Sequence, residues 1–402
     1  MSSHAENQTR ESAQAASPAY SAGFPDAIFL MINSLETGGT ERQFVEIARS
    51  LKSVQCDVRL GCLQRKGSFL ESPGLDGPRL DGPGLDGIGE LQHFGLGGSL
   101  YGLQSMRSRW RLMRYLRRSK IAIAQAFDFY ANLTLIPAAK LAGVRVLGSH
   151  RQLGDLLTRS QFRVQLEMFR WCDKVVCNSR AAADRLARAG LPTQKLVVIG
   201  NGMPPSAFVE ASPDPARLPG VLRIGMISRM NQRAKNHGLF LRAAARVSAK
   251  FSAVEFVLVG DGPLRGELER QVKDLGLLDR VRFLGDRRDI PSVLASLDIT
   301  VLPSASESLS NAIMESMAAG IPVIANRVGG NPELITGERG VLVAADDEQA
   351  LSAAMESLLR DQDLRTRLGH NARTYALANF TIDEVRKQYE ELYVDVIQRT
   401  RA

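Results

Sequence analysis

The chain has 402 residues, of which 44% are hydrophobic and 23% are charged. These ordinary values exclude a collagen, a coiled coil or a wholly disordered chain, and the length predicts two or three domains with large cores. A net charge of +8 favours an anionic partner, but does not decide between phosphates, nucleic acid and a membrane surface. No apolar run reaches the roughly 18 residues of a transmembrane helix.

The N-terminal segment is rich in Ser, Ala and Gln and lacks the basic-then-apolar order of a secretory signal. We predict that residues 1–25 form a disordered tail. The four cysteines are too few for a disulfide scaffold and lack the CxxC pairs with partner histidines that typify zinc sites. We therefore expect reduced thiols and a cytosolic protein.

Short apolar runs alternate with helix-like segments along the rest of the chain. Runs that are apolar on both faces are typical of parallel strands covered by helices on each side. The alternation predicts an α/β fold with two Rossmann-like parallel-sheet domains that face each other across a cleft. The predicted strands are 27–33, 56–63, 121–127, 144–149, 174–179, 196–200, 221–228, 254–260, 281–285, 299–303, 322–325 and 340–343.

A proline cluster marks the boundary between the two domains. Five of the 17 prolines lie within residues 201–220, a density that neither a helix nor a central strand tolerates. We place a linker there, after an N-terminal domain at 26–200 and before a C-terminal domain at 221–380. The last segment, 381–402, is predicted to be helical.

The first predicted strand leads into a glycine turn, Gly38-Gly39, and then into a helix. The two glycines can take positive φ and let a ligand approach the backbone. Thr40 and Gln43 form a T-x-x-Q capping box, which predicts the start of the helix. A helix N-terminus behind a glycine turn binds anions readily, although an ordinary strand-to-helix turn explains the same residues.

Two segments of the N-terminal domain have an unusual composition. Residues 73–87 repeat the motif PGLDG, PRLDG, PGLDG, which predicts an expanded surface loop, with calcium binding by its aspartates as an alternative. Residues 103–120 carry seven Arg or Lys, and their apolar stripe predicts a helix packed on the sheet. The basic face is either solvated or docks on anionic lipid, with nucleic acid as a third alternative. The stripe consists of Leu103, Met106, Trp110, Met113 and Leu116.

Two cations, Arg229 and Lys235, follow the predicted strand at 221–228. Cations beyond a strand end can clamp a diphosphate, Arg through a bidentate contact and Lys as a point charge. Solvated loop charges are the plain alternative. The pair is therefore a candidate phosphate site.

Two glutamates frame the stretch ESLSNAIME, in which seven residues separate Glu307 from Glu315. A helix is predicted to begin near Ser310, so Glu307 precedes it and Glu315 projects from its second turn. Both carboxylates, with the free backbone amides between them, can reach one elongated ligand across the helix N-terminus. The turn at 329–330, with Asn331 as the predicted N-cap, would bring a second helix N-terminus nearby.

The stretch ESLSNAIME resembles the E-x7-E signature of the retaining glycosyltransferases of family 4, which have the GT-B fold. The resemblance runs from about residue 26 to about residue 390, and its elements occur in the family's order. Together they make a specific match, whereas E-x7-E alone is weak. The other elements are GGTER (38–42), NSRAAADRL (178–186), VIGNG (198–202), Arg229 with Lys235, LVGDGPLRGELE (258–269), VRFLGDRRDIPSVLASLDITVLPS (281–304) and GGNPEL (329–334).

The resemblance implies a role for each matching residue. Arg229 and Lys235 would bind the donor diphosphate and stabilise the leaving group. Glu307 would hold the hydroxyls of the transferred sugar, and Glu315 would bind the ribose. His150 would lie near the sugar or the acceptor, although a lone histidine is more often structural. The remaining donor-binding residues would be Gly38 and Gly39 at the phosphate, Ser308 and Leu309 through their amides, and Gly260, Asp261 and Leu284 near the base.

The resemblance also assigns the two halves of the fold. The N-terminal domain would bind the acceptor, with Arg151 and Asp128, which lie near strand ends, as further acceptor-site candidates. The C-terminal domain would bind the nucleotide sugar. The last helices, after Phe380, would cross back to the first domain.

Sugar transfer from a nucleotide diphosphate requires that the leaving charge is absorbed, which cations and helix-end amides can do. The D-x-D motif that binds a metal in many glycosyltransferases occurs only at 361–363, within a helical pattern. We therefore expect no metal and no cofactor besides the nucleotide-sugar co-substrate. The implied mechanism is the family's front-face retaining one, in which the leaving phosphate deprotonates the acceptor.

The sequence thus predicts a hexosyltransferase that uses a UDP- or GDP-sugar and a lipid-linked glycan acceptor, with retention, in surface polysaccharide biosynthesis. It would be cytoplasmic, in peripheral contact with the inner face of an anionic membrane through 103–120, and would bind no specific nucleic acid. A non-catalytic nucleotide-sugar-binding protein, a nucleotide-sugar epimerase of the same fold and a basic nucleic-acid-binding protein are the alternatives. A protein that has lost catalysis is disfavoured, because the chain carries Arg229, Lys235, Glu307 and Glu315 together.

Overall fold

The computed structural model describes residues 24–36, 38–67, 69–70, 89–96, 102–155, 157–213, 217–287 and 289–398. The predicted loop at 73–87 lies outside these residues, as does the predicted tail at 1–25 except for its last two positions. Two parallel β-sheets with helices packed on them build the described chain, so the predicted α/β class is confirmed.

The first sheet has seven strands, β1 (Ala27–Ile32), β2 (Asp57–Cys62), β3 (Leu91–His93), β4 (Ile123–Ala126), β5 (Arg145–His150), β6 (Lys174–Cys177) and β7 (Leu196–Val198). They are parallel and lie in the order β3-β2-β1-β4-β5-β6-β7. Alternate residues of β1 enter two separate hydrophobic clusters, Phe29 and Met31 in one and Leu30 and Ile32 in the other. Both faces of the sheet are therefore buried, which explains why the strand is apolar throughout.

The second sheet has six parallel strands, β8 (Leu222–Ile227), β9 (Val254–Val259), β10 (Val281–Gly285), β11 (Ile299–Leu302), β12 (Val323–Asn326) and β13 (Val341–Val343). Their order is β10-β9-β8-β11-β12-β13. The predicted linker at 201–220 lies between β7 and β8. Each of the twelve predicted strands is present. The unpredicted strand is β3, whose sequence LQH is short and largely polar.

Helices cover both sheets. Those of the first half are α1 (Gly39–Ser53), α2 (Leu103–Arg118), α3 (Phe129–Ala142), α4 (Arg159–Trp171) and α5 (Arg180–Arg188). The second half continues with α6 (His237–Ser248), α7 (Arg265–Asp274), α8 (Ile290–Ala295), α9 (Asn311–Ala318), α10 (Asn331–Leu334), α11 (Glu348–Arg360), α12 (Gln362–Asn379) and α13 (Ile382–Gln398).

The last helix returns to the first sheet. Tyr389 and Tyr393 of α13 are fully buried in the cluster that contains Leu30 of β1. The Tyr393 hydroxyl donates to Gln125 Oε1 at 2.7 Å, a contact across 268 residues. Hence α13, at the far end of the chain, completes the core of the N-terminal domain.

Two local predictions were wrong because tertiary contacts replaced them. The Thr40–Gln43 capping box does not form: α1 starts at Gly39, and the Gln43 amide instead bonds the backbone N–H and C=O of Gly202, each at 2.7 Å.

The apolar stripe of α2 does not all face the sheet. Leu112 and Leu116 are buried, whereas Leu103, Met106 and Trp110 are 77%, 61% and 54% exposed.

In each sheet the strand order reverses next to one strand, β1 between β2 and β4 and β8 between β9 and β11. Ligands of open α/β sheets bind beyond the carboxyl ends of the strands at such switch points. The Gly38-Gly39 turn follows β1, Arg229 follows β8 and Glu307 follows β11. The fold therefore directs these predicted site residues to the two switch points.

Candidate active site

Lys235 and Glu307 meet at the switch point of the second sheet. Lys235 Nζ donates to Glu307 Oε1 at 2.6 Å, and the two side chains are 28% and 11% exposed. A backbone hydrogen bond of 2.7 Å from Ala305 N to Ala234 O joins the two loops that carry them. The structure thus pairs a cation with a sparingly exposed carboxylate although 72 residues separate them in sequence.

The Gly329-Gly330 turn supports the loop that carries Glu307. Gly329 has φ +49°, and a Cβ there would lie 1.7 Å from the Glu307 carbonyl oxygen. A Cβ at Gly330 would lie 1.9 Å from the Ser308 carbonyl oxygen. The prediction that Asn331 is the N-cap was wrong: Asn331 is the first residue of α10, and its side chain donates to the Asn326 carbonyl at 3.0 Å. Glycine is needed here for close backbone approach.

Arg229 lies on the surface beyond β8, where its charge is felt by acidic groups of the first domain. The pKa of Glu36 is lowered, mainly by its hydrogen bond from Lys66 and in small part by the charge of Arg229. Arg229 also opposes the rise in the pKa of Glu41. Arg229 therefore lies within electrostatic range of Glu36 and Glu41, which flank the Gly38-Gly39 turn.

Glu315, to which the resemblance assigns the ribose, is paired across the cleft. Its Oε1 accepts a hydrogen bond from Arg42 Nη1 of α1, and the Glu315 side chain is 10% exposed. Sequence reasoning missed Arg42, although it is the last residue of the GGTER motif. The pair places the start of α1 directly over α9.

Further polar contacts join the two domains beside this site. The Ser308 hydroxyl donates to Asn178 Oδ1 at 2.6 Å, and the side chain of Asn201 donates to Asn311 Oδ1 at 2.6 Å. Glu333 accepts the first two amides of α5, at 2.8 and 2.9 Å, so a carboxylate of one domain caps a helix of the other. Leu309 is half-buried and packs against the apolar cluster that includes Met203.

The predicted base-binding residues come together at the carboxyl ends of β9 and β10. Gly260 has φ +119°, and its N–H donates to the Gly285 carbonyl at 2.8 Å. The carbonyl of Asp261 accepts from Met230 N at 2.9 Å, which ties this turn to the loop that carries Arg229. Leu284 is half-buried beside them. The phosphate and base candidates therefore share one edge of the second sheet.

The first domain contains a cavity of about 300 Å³ beyond the carboxyl ends of β1, β4 and β5. Arg151 and Asp128, the predicted acceptor-site residues, line it together with His150, which was predicted as a catalytic residue near the sugar or the acceptor. Asp128 is the N-cap of α3 and accepts the backbone N–H groups of Ala131 and Asn33 at 3.0 and 2.5 Å. The remaining lining residues are Asn33, Thr40, Glu41, Phe127, Phe129, Tyr130, Ser149, Gln152, Leu157, Gln161 and Gln165.

Burial governs the ionisation of the groups in this cavity. It raises the pKa of Glu41 to about 7 and raises the pKa of Asp128, which its backbone donors only partly offset. It lowers the pKa of His150 to about 4, so the imidazole is neutral at pH 7. The Arg151 guanidinium donates to Asn201 Oδ1 and lies 5.9 Å from the ring centre of Phe127.

The two glycines of the first turn do not take the positive φ that their sequence would allow. Gly38 is extended, with φ −166°, and a Cβ there would lie 2.2 Å from Glu41 Oε2. A Cβ at Gly39 would lie 2.9 Å from Asn311 Nδ2 of the other domain. The N-terminus of α1 therefore lies against the start of α9.

Among the described residues, no group of three or more His, Cys, Asp or Glu side chains is placed to hold a metal ion. The Asp361-Gln362-Asp363 motif has a local role, because Asp361 caps α12 by accepting from Leu364 N at 2.8 Å. Within the same residues, no helix is long and apolar enough to cross a membrane.

Solved structures of similar shape define the class of the fold. The structure of Anabaena Alr3699/HepE in complex with UDP and glucose superposes with a TM-score of 0.77 at 22% identity, over 91% of this chain and 98% of that one. Sucrose-phosphate synthase of Thermosynechococcus elongatus gives a TM-score of 0.76 at 18% identity, over 93% of this chain and all of the other (100%). The fold is therefore GT-B, as predicted.

Sequence comparison adds the family. Residues 37–207 match the model described as Glycosyltransferase Family 4, and residues 221–361 match Glycosyl transferases group 1. The lipopolysaccharide core biosynthesis glycosyltransferase LpsE of Rhizobium meliloti is 32% identical over 60% of this chain and 68% of its own length. The UDP-Gal:alpha-D-GlcNAc-diphosphoundecaprenol alpha-1,3-galactosyltransferase of Escherichia coli is 25% identical over 73% and 81%. The chain belongs to glycosyltransferase family 4.

Proposed function

We propose that this glycosyltransferase moves a hexose from a UDP- or GDP-sugar to a lipid-linked glycan, with retention of configuration, in surface polysaccharide biosynthesis. The observation that carries the proposal is the Lys235–Glu307 pair, which lies at the same switch point as Arg229. A diphosphate at this edge would meet two cations, and its arrival would free Glu307 to accept hydroxyls of the sugar.

The names of similar proteins support both substrates. HepE was crystallised with UDP and glucose, which supports a nucleotide-diphosphate donor for the shared fold. The Escherichia coli relative is named for a diphosphoundecaprenol-linked acceptor and LpsE for lipopolysaccharide core biosynthesis. These names favour a lipid-linked glycan over a free sugar as the acceptor.

The proposed chemistry uses the residues of the cleft without a metal. Lys235 and Arg229 would stabilise the negative charge that develops on the leaving diphosphate. Glu307 would orient the sugar through its hydroxyls. The acceptor hydroxyl would approach from the first domain, past His150, and would pass its proton to the leaving phosphate oxygen as the new glycosidic bond forms on the same face.

We also propose that α2 brings the enzyme to the surface of an anionic membrane. Leu103, Met106 and Trp110 are exposed, and Arg107 and Arg111 lie between and beside them on the same helix. Exposed apolar side chains among arginines are typical of helices that lie in the lipid interface. Co-sedimentation with phosphatidylglycerol vesicles, but not with phosphatidylcholine vesicles, is the expected result, and Arg107→Glu with Arg111→Glu should abolish it.

A donor screen tests the proposed reaction. Thermal unfolding and sugar release are measured with UDP-, GDP-, ADP- and dTDP-sugars in the presence of EDTA. We expect one nucleotide to raise the melting temperature and its sugar to be hydrolysed slowly, and proton NMR of the transferred sugar should show the donor's anomeric configuration. Loss of activity in EDTA would refute the metal-independent mechanism. A stabilising nucleotide with no hydrolysis and no transfer would favour a non-catalytic binding protein.

A further inference from the structure

Gln165 of α4 is a buried glutamine on the wall of the acceptor-side cavity. It is 2% exposed, and its Oε1 has no hydrogen-bond partner in the described chain. A buried polar atom is normally bonded, and an orphaned one is costly unless a ligand or water completes it. Gln125 of the same domain shows the ordinary case, since both ends of its amide are bonded, to Ser149 Oγ and to the Tyr393 hydroxyl.

His150 adds two more unpaired atoms to the same cavity. Its side chain is 1% exposed, its ring packs edge-on at 6.0 Å from Phe169, and neither ring nitrogen has a partner among the described residues. The neutral ring offers one donor and one acceptor. Together with Gln165 Oε1, the His150 ring therefore gives the cavity lining both a hydrogen-bond donor and hydrogen-bond acceptors. Sugar hydroxyls can both donate and accept, so they can bond with such a lining.

The electrostatics of the cavity select against a negatively charged ligand. Two acidic side chains, Glu41 and Asp128, line it, and an anionic ligand would either be repelled by their ionised forms or lose its hydration beside their protonated ones. Among the described lining residues the one permanent cation is Arg151, and Asn201 and the Phe127 ring already contact its guanidinium. The Arg151 side chain also lies within hydrogen-bonding reach of the Tyr389 hydroxyl.

The size of the cavity limits the ligand further. The cavity is open on one side, and its volume of about 300 Å³ is at the small end of the range for ligand pockets, so it would hold about one sugar ring while the rest of a longer acceptor extends outside it. We propose that Gln165 determines acceptor specificity, and that Gln165 and His150 hydrogen-bond the hydroxyls of one uncharged hexopyranose at the growing end of the acceptor. This inference rests on the proposed function, because it deepens the assignment of the first domain to the acceptor.

The test compares Gln165→Leu, which keeps the size of the side chain, with Gln125→Leu as the matched control. The probes are octyl glucoside, octyl galactoside and octyl N-acetylglucosaminide as neutral acceptors and octyl glucuronide as the anionic one. Glycoside binding by calorimetry, transfer from the nucleotide sugar found in the donor screen, and donor hydrolysis without acceptor are measured for each protein.

We expect at least one neutral glycoside to bind and to be glycosylated, with the glucuronide at least about tenfold poorer. Gln165→Leu should weaken binding of the neutral glycoside by about tenfold or more, which corresponds roughly to the loss of one hydrogen bond. It should leave donor hydrolysis unchanged. Its melting temperature should be unchanged or higher, because no internal hydrogen bond is lost. Gln125→Leu should instead lower the melting temperature without changing the preference among glycosides.

The outcomes separate this inference from the proposed function. If Gln165→Leu still hydrolyses the donor and uses every glycoside as well as the wild-type protein does, the inference is overturned and the proposed function stands. Equal or better use of the glucuronide, or failure of every neutral glycoside to bind, would overturn it as well. If the wild-type protein neither hydrolyses a donor nor transfers its sugar to any glycoside, the proposed function fails, and the calorimetric comparison of the two variants still decides whether Gln165 binds a neutral sugar.

Discussion

Replacing Glu41 by glutamine should remove a pH-dependent loss of folding stability. Glu41 lies at the start of α1 beside Gly38, where burial raises its pKa from 4.5 to about 7. The charges of Asp128 and Glu36 add to this rise, while Arg229 and the amide of Glu41 itself oppose it. Glutamine has the same shape and no ionisable proton, so it isolates the electrostatic effect.

The magnitude follows from linkage. Between about pH 4.5 and pH 7 the folded protein keeps a proton that the unfolded chain has released, so wild-type stability falls as pH rises through this window. Each pKa unit corresponds to about 1.4 kcal/mol, so the full effect is roughly 3 kcal/mol. The advantage of Glu41→Gln over wild type should therefore grow from below about 1 kcal/mol at pH 5 to about 3 kcal/mol at pH 8.

Urea unfolding of both proteins at pH 5, 6, 7 and 8 measures this difference directly. Glu36→Gln is the control, because the pKa of Glu36 is lowered, mainly by Lys66. Glu36 stabilises the fold above its unfolded pKa, so this variant should lose a little stability at high pH rather than gain it. A constant free-energy difference between Glu41→Gln and wild type across the four pH values would refute the reasoning.

Three further predictions concern the donor side. Glu307→Ala should abolish transfer with an unchanged circular dichroism spectrum, and full activity would remove Glu307 from the site. Arg229→Ala should weaken binding of the donor nucleotide diphosphate by about 2–5 kcal/mol in calorimetry, provided that the ligand buries the guanidinium, and an unchanged affinity would place the phosphate elsewhere. Gly330→Ala should destabilise the fold by about 1–3 kcal/mol or more, since its Cβ would lie 1.9 Å from a carbonyl oxygen. Gly266→Ala, which meets no atom within 4 Å, should instead stabilise by about 0.5–1 kcal/mol, and equal melting temperatures for the two variants would contradict this contrast.

Much of the fold was predictable because its signals are local. Twelve strands appeared as continuous apolar runs, and the helix after Glu307 appeared from the Ser310 cap and the apolar spacing that follows it. β3 was not predicted, because its three residues include two polar side chains and form no continuous apolar run. The face that α2 buries was assigned wrongly because Ser105 and Ser108 are buried in place of larger apolar residues.

The candidate site was predictable only where a motif or a strand end pointed to it. Lys235 and Glu307 were both named, and the structure joins them, but their direct contact depends on the folding of two loops 72 residues apart. Arg42 and Gln165 were missed. Neither has a local signal, because Arg42 gains its partner only where α9 lies against α1, and Gln165 is buried only by the packing of α4.

By itself, the sequence predicted the alternation of strands and helices, the proline-rich linker and the family resemblance, since each element of these patterns is a short stretch of neighbouring residues. The tertiary structure alone decided which side chains meet across the cleft and which buried polar atoms stay unpaired. Those properties depend on contacts such as Arg42 with Glu315, 273 residues apart, and on α13 closing the first domain from the far end of the chain. No local sequence pattern predicts packing or burial between residues so far apart in the chain.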